Sequence, residues 1–166
     1  MTEFSEMTVK DIRDGVTKGD FTAVEVTTHF NARVADASEI NAFIVTTPDQ
    51  AIEQAKAVDA KRAAGETLGA MAGVPIGMKD LFATQGVQTT AASHILEGFK
   101  PEYESTVSGK LWDAGCTMLG KLNLDQFAMG SSNETSFFGN VINPWRREGD
   151  TAPLAPGGSS GGSSSA

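Results

Sequence analysis

The stretch Val74-Pro75-Ile76-Gly77-Met78-Lys79-Asp80-Leu81 decides how the chain is read. It is short, apolar and without helical period, so it reads as a buried strand. From Gly69 onward Gly, Pro and β-branched residues become frequent and helical patterning fades. Downstream, Ser105 opens a helix from Thr106 to Asp113 that Gly115 stops, and Cys116-Thr117-Met118-Leu119-Gly120-Lys121 reads as a second strand. Leu124 to Met129 reads as a helical turn before the polar loop Gly130 to Ser136. Strand and helix alternate, which favours an α/β fold with a mostly parallel, buried sheet flanked by helices.

Upstream the chain is helical. Thr8 and Asp11 open a short apolar pattern of Val9, Ile12 and Val16 that Gly19 ends. Thr22 and Glu25 form a capping box ahead of a helix with Ala23, Val26, Phe30, Val34 and Ala37 along one stripe. Ala42 to Thr46 is strand-like. Thr47 and Gln50 suggest a second capping box, with Pro48 at the first position of a helix that runs to about Ala64, turns Ala51, Ile52, Ala55 and Val58 inward, and closes at Gly65. Residues 1–68 are thus expected to be a helical lead-in and residues 69–166 the start of the core of one domain. Arg146 to Ala155 reads as an exposed loop, and there are no internal repeats.

The bulk composition excludes some functions. The 166 residues carry a net charge of −8, which argues against a nucleic-acid-binding surface on this chain. The single cysteine, Cys116, permits no internal disulfide and reads as a small buried hydrophobe. No apolar run approaches a membrane span, and Met1 to Val9 is too polar for a signal peptide, so the expected location is the cytoplasm. His29 and His94 lie far apart, so no metal constellation is expected, nor a Ser-His-Asp triad.

Three features could carry chemistry. Side chains alternate along an extended segment, so Val74, Ile76, Met78 and Asp80 fall on one face, and Pro75, Gly77, Lys79 and Leu81 on the other. Gly77 is expected to leave space beside Lys79. A lysine in such a run is paired, neutralised or turned to a cavity; a desolvated, neutral amine is a general base, whereas a snorkelling amine is only a strand-end cation. Asp80 is then either a residue that holds or orients neighbouring backbone or a catalytic group. The second feature is the run Pro156-Gly157-Gly158-Ser159-Ser160-Gly161-Gly162-Ser163-Ser164-Ser165-Ala166. Its composition is that of a flexible linker, but its N–H groups could equally line an oxyanion site and its hydroxyls relay protons. The third is the loop Phe127 to Thr135, either a pocket wall or a plain connection.

Lys79 within Gly73 to Asp80, followed in order by Pro156 to Ser163, resembles the amidase signature family. Gly86, Thr89-Thr90, Tyr103 to Val107, Gly120 to Gly130 and Asn143-Pro144 look like its branch of tRNA-dependent amidotransferase A subunits. The resemblance implies the amidase signature fold, incomplete at the C-terminus, and a Ser–cis-Ser–Lys mechanism. Lys79 would be the base and Ser159 the bridging serine after a cis peptide bond. Asp80 and Ser160 would give structural support, and Met129, Gly130, Ser131 and Gly158 would line the substrate or oxyanion pocket. The family's nucleophilic serine falls beyond Ala166, so the chain is expected to be an N-terminal fragment, inactive alone. The implied activity is glutamine hydrolysis that supplies ammonia for forming Gln-tRNA(Gln). The implied partners are the B and C subunits of the amidotransferase, with tRNA, ATP and Mg²⁺ handled by the partner and no cofactor on this chain. A stand-alone amidase and a catalytically inactive chain remain the alternatives.

Overall fold

The computed structural model describes residues 4–166. The polar start read from Met1 falls partly on residues 1–3, outside the described residues. Eight regular elements follow in chain order: α1 (Val9–Lys18), α2 (Ala23–Asp36), β1 (Phe43–Thr46), α3 (Pro48–Ala63), β2 (Pro75–Lys79), α4 (Thr106–Asp113), β3 (Thr117–Leu122) and α5 (Gly161–Ser165). The chain divides into two compact units. One contains the chain as far as Asp36, Thr47–Ile76 and Gly109–Leu119; the other contains Ala37–Thr46, Gly77–Ser108 and Gly120–Ala166.

In the first unit α1 and α2 begin on side-chain capping boxes. Thr8 and Asp11 form a capping box on α1, and Gly19 takes the left-handed conformation (φ 85°) that closes it. Thr22 Oγ1 accepts from Glu25 N at 3.0 Å, and the Glu25 carboxylate accepts from Thr22 N at 2.7 Å, completing the second box. Two side chains of α3 add a feature the sequence did not signal. The Asp59 carboxylate accepts from Ala23 N (2.9 Å) and Val24 N (3.1 Å), placing an anion at the start of α2. Arg62 donates to the carbonyls of Val16 (2.8 Å) and Phe21 (3.0 Å), near the end of α1. The apolar stripes meet in one core: Ile12, Val16, Ala23, Val26, Ala55, Val58, Ala72 and Val74. The expected capping box at Thr47 is not formed. Thr47 Oγ1 donates instead to Met118 O at 2.8 Å, and this contact to β3 outcompetes the local cap. Cys116 is 2% exposed, as its apolar neighbours suggested, and burial pushes its thiol pKa up to about 11. A thiol reagent at pH 8 is therefore expected to leave Cys116 unmodified in the folded protein and to label it on denaturation, read by intact mass.

The sheet has three strands in the order β1-β3-β2. β1 pairs with β3 antiparallel, matching Phe43 with Leu122, Val45 with Lys121 and Thr46 with Gly120, with a bulge between Phe43 and Val45. β2 and β3 run in the same direction: Thr117 N donates to Val74 O at one end, and Asp80 N to Leu122 O at the other. The sheet is thus mixed. All six residues of the middle strand β3 are buried, Thr117 and Lys121 included.

In the second unit Lys121 and Asp80 face each other in the interior, both wholly buried, at 3.2 Å. Lys121 Nζ also donates to Phe82 O (2.9 Å) and Thr89 Oγ1 (2.6 Å). The second Asp80 oxygen accepts from Thr90 N (2.9 Å) and Thr90 Oγ1 (2.5 Å). Two sequence expectations change here. The helical turn expected over Leu124 to Met129 shrinks to a single 3-10 turn, Gln126–Ala128, in which Phe127 has φ 53°. The Gly/Ser run is not a loose linker. Gly162 N donates to Asn123 O at 2.9 Å, Gly161 N to Asn133 Oδ1 at 3.1 Å, and residues 161–165 are helical. Among the described residues no helix is long and apolar enough to cross a membrane.

Candidate active site

Lys79 is the last residue of β2, on the opposite face from Met78 and Asp80, which are buried. The alternation read from the sequence therefore holds. The space expected beside it at Gly77 does not exist. A side chain at Gly77 would meet Leu122 carbons at 2.7 Å, so the glycine admits a neighbouring side chain rather than a ligand.

The amine of Lys79 instead turns to the Gly/Ser run. Its Nζ lies 2.9 Å from Ser159 Oγ and 2.7 Å from Ser160 Oγ, both in hydrogen bonds. The peptide bond between Gly158 and Ser159 is cis. Burial holds the Lys79 pKa below its usual value, and the Asp125 carboxylate pushes it back part of the way. A neutral amine accepts a proton from a hydroxyl where an ammonium only donates. The sequence placed Ser160 in a supporting position; in the structure its hydroxyl is as close to the amine as that of Ser159.

Three of the remaining residues singled out in the sequence, Gly130, Ser131 and Gly158, gather around Asp125. A side chain at Gly158 would run into Asp125 Oδ2 and into backbone atoms of Ser131 and Ser132, and one at Gly130 would also strike Asp125. Gly130, Ser131 and Gly158 are thus brought together, whereas the side chain of Met129 points into solvent at 81% exposure. Asp80 does grip neighbouring backbone, through Thr90 N, on the face of β2 away from the amine. His94 stacks on Phe137 and contacts Glu97 at 2.7 Å, outside this cluster.

The sequence reading gave no individual role to Asp125 or Asn133, though both lie in stretches it singled out. Both are wholly buried. Asp125 accepts from Asn133 N (3.0 Å) and Thr135 Oγ1 (3.0 Å), and its own N–H donates to Ser159 O (3.0 Å). Asn133 Oδ1 holds Gly161 N. Nothing local marks either as buried: Asp125 follows a stretch that includes Lys121 and Asn123, and Asn133 lies among Ser131, Ser132 and Glu134.

The class that fold and site define is an α/β chain with a lysine–serine site on a glycine-rich cradle. The family model for Amidase covers residues 25–166, and the chain belongs to that family. It is 75% identical over 167 aligned residues to the A subunit of the glutamyl-tRNA(Gln) amidotransferase of Novosphingobium aromaticivorans, a match that takes in all of this chain and 34% of that protein. Among solved structures, it matches the native peptide amidase of Stenotrophomonas maltophilia at 30% identity and TM-score 0.83, covering 97% of this chain and 34% of that one. It matches the A subunit of the glutamyl-tRNA(Gln) amidotransferase of Thermotoga maritima at 29% identity and TM-score 0.68, covering 99% and 32%. The chain thus spans about a third of the length of the curated relatives it matches.

Proposed function

We propose that these residues work as the N-terminal part of the A subunit of a tRNA-dependent amidotransferase, which hydrolyses glutamine and passes ammonia to a partner that converts Glu-tRNA(Gln) to Gln-tRNA(Gln). The observation that carries this reading is the Lys79 amine held between the Ser159 and Ser160 hydroxyls. The 75% identity to a glutamyl-tRNA(Gln) amidotransferase chain supports the choice of substrate. The B and C subunits are the partners in this reading, ATP and Mg²⁺ belong to the partner's reaction, and the location is the cytoplasm.

The chemistry follows from the geometry. Neutral Lys79 takes the proton of Ser159, and Ser159 takes the proton of an attacking serine hydroxyl, which in this reading lies beyond Ala166. That oxygen bonds to the amide carbon. The carbon–nitrogen bond then breaks, the relayed proton returns to the nitrogen, and ammonia leaves. Water attacks the resulting ester through the same relay and releases glutamate.

The deciding experiment uses the full-length protein with its partner subunits. It should produce Gln-tRNA(Gln) from Glu-tRNA(Gln), glutamine and ATP. A second reading, a stand-alone amidase, draws support from the closer superposition on the peptide amidase. Efficient hydrolysis of small amides without partners, and no transfer to tRNA with them, would establish that reading and overturn the first.

A further inference from the structure

We propose that Asp125 is the positioning residue of the Lys79–Ser159 site: its backbone N–H fixes the carbonyl of Ser159, and its buried carboxylate ties the loop from Asn133 to Thr135 against Gly158. The proposal rests on Lys79 acting as the base. Its geometry is independent of that role.

Asp125 follows directly on the buried segment that contains β3, Asn123 and Leu124. Its backbone is therefore set by the sheet. From that position it reaches three pieces of chain. Its N–H bonds to Ser159 O at 3.0 Å, on the residue whose hydroxyl meets the Lys79 amine. One carboxylate oxygen accepts from Asn133 N at 3.0 Å, the other from Thr135 Oγ1 at 3.0 Å and Thr135 N at 3.4 Å. Gly158 and Gly130 lie so close to the carboxylate that neither can carry a side chain. Asn133, held by Asp125, in turn holds Gly161 N. Asp125 thus bears on the run before Ser159 through its carboxylate, at Ser159 through its N–H, and at Gly161 through Asn133.

The carboxylate also acts on the amine by charge. Lys79 Nζ donates to the Ser159 and Ser160 hydroxyls of the Gly/Ser run, and the charge of Asp125, which follows β3 and Leu124, raises its pKa. Asp80, next to the amine in the chain, faces the other way and is committed to Lys121 and Thr90. Asp125 therefore opposes the effect of burial and keeps the protonated amine accessible at the end of the relay, where the leaving nitrogen needs a proton. It touches neither substrate nor the reacting atoms.

The test is Asp125→Asn in the full-length protein, which keeps shape and removes charge. Competitive acetylation of lysines across pH, read at Lys79 by mass spectrometry, follows the amine without needing turnover. The Lys79 midpoint is expected to move to lower pH, the acidic limb of kcat/KM to move with it, and kcat to fall about a hundredfold with a smaller change in KM. Thr135→Val loosens the loop but keeps the charge. It is expected to lower kcat several-fold and leave the Lys79 midpoint in place. A midpoint that moves equally in both variants, or in neither, overturns the proposal. Should Asp125→Asn fail to fold, an unchanged kcat in Thr135→Val overturns it alone. Full activity in Lys79→Ala would instead reject the general-base reading, with the acetylation result still standing.

Discussion

Lys79→Ala in the full-length protein is expected to lower glutamine hydrolysis by about 10²–10⁴-fold, the range over which a positioned general base contributes. The variant removes the amine that donates to both serine hydroxyls, at 2.9 and 2.7 Å, and with it the proton acceptor at the end of the relay. Lys79→Arg is the sharper variant. It restores a cation of similar reach, but a guanidinium does not give up its proton at any working pH. If the amine acts as a base, Arg is as inactive as Ala; if it serves only as a cation, Arg recovers most of the rate. The pH dependence has a definite sign. Burial places the Lys79 pKa below the usual 10.5, and the reactive form is the neutral one, so the rate rises with pH through that lowered value. Ser159→Ala, combined with Lys79→Ala, should cost little more than either alone, because the two residues act as one relay. Additive losses in the double variant would argue for separate roles.

The second large effect is on stability. Lys121→Met is expected to destabilise the fold by about 3–5 kcal/mol, since it leaves the Asp80 carboxylate charged and buried without its partner. For a domain of this size that lowers the thermal midpoint by roughly 6–20 °C. Both side chains are wholly buried, and among the described residues the Asp80 oxygen 3.2 Å from the Lys121 amine has no hydrogen-bond partner. Adding Asp80→Asn should restore much of the loss, because a neutral amide still accepts from Thr90 N and leaves no charge behind. The pair also makes a pH signature. Burial holds Lys121 below the usual lysine pKa of 10.5, with Asp80 and Glu104 opposing that shift. Between the folded and unfolded values the unfolded chain binds more protons, so stability contributed by this group rises with pH across that window. Below the folded value the burial cost stands in full. Lys121→Met should remove this alkaline rise. A thermal midpoint indistinguishable from that of the parent would sink the argument.

The fold was legible where local chemistry decides it. Two capping boxes, the apolar stripes of α1 to α3 and the strands around Lys79 and Met118 follow from pattern and propensity alone. The sequence misled where a distant partner outbids a local one. Thr47 has the right type for a cap but spends its hydroxyl on Met118 O. Gly77 reads as space beside Lys79 because its filler, Leu122, lies far along the chain. At the site, Lys79 was visible as a cation in an apolar strand, and the resemblance paired it with Ser159. Asp125 and Asn133 stayed hidden, because an isolated acid or amide in a polar segment looks like any solvated residue. Only the folded chain shows that both are sealed from water.

The packing of the Gly/Ser run has a consequence for how tolerance to mutation is distributed along the protein. A Cβ at Gly158 would strike Asp125, one at Gly161 would strike Asn133, and one at Gly162 would strike Ala42 O and the backbone of Asn123. Even alanine is therefore excluded at three of the five positions from Gly158 to Gly162. In a saturation scan this region, without a single large apolar side chain, should reject substitutions as stringently as the hydrophobic core around Val16 and Val26. The exposed apolar residue Trp145, by contrast, should accept nearly anything. Intolerance here maps to missing volume and not to hydrophobicity, so a survey that ranks positions by side-chain size would invert the order.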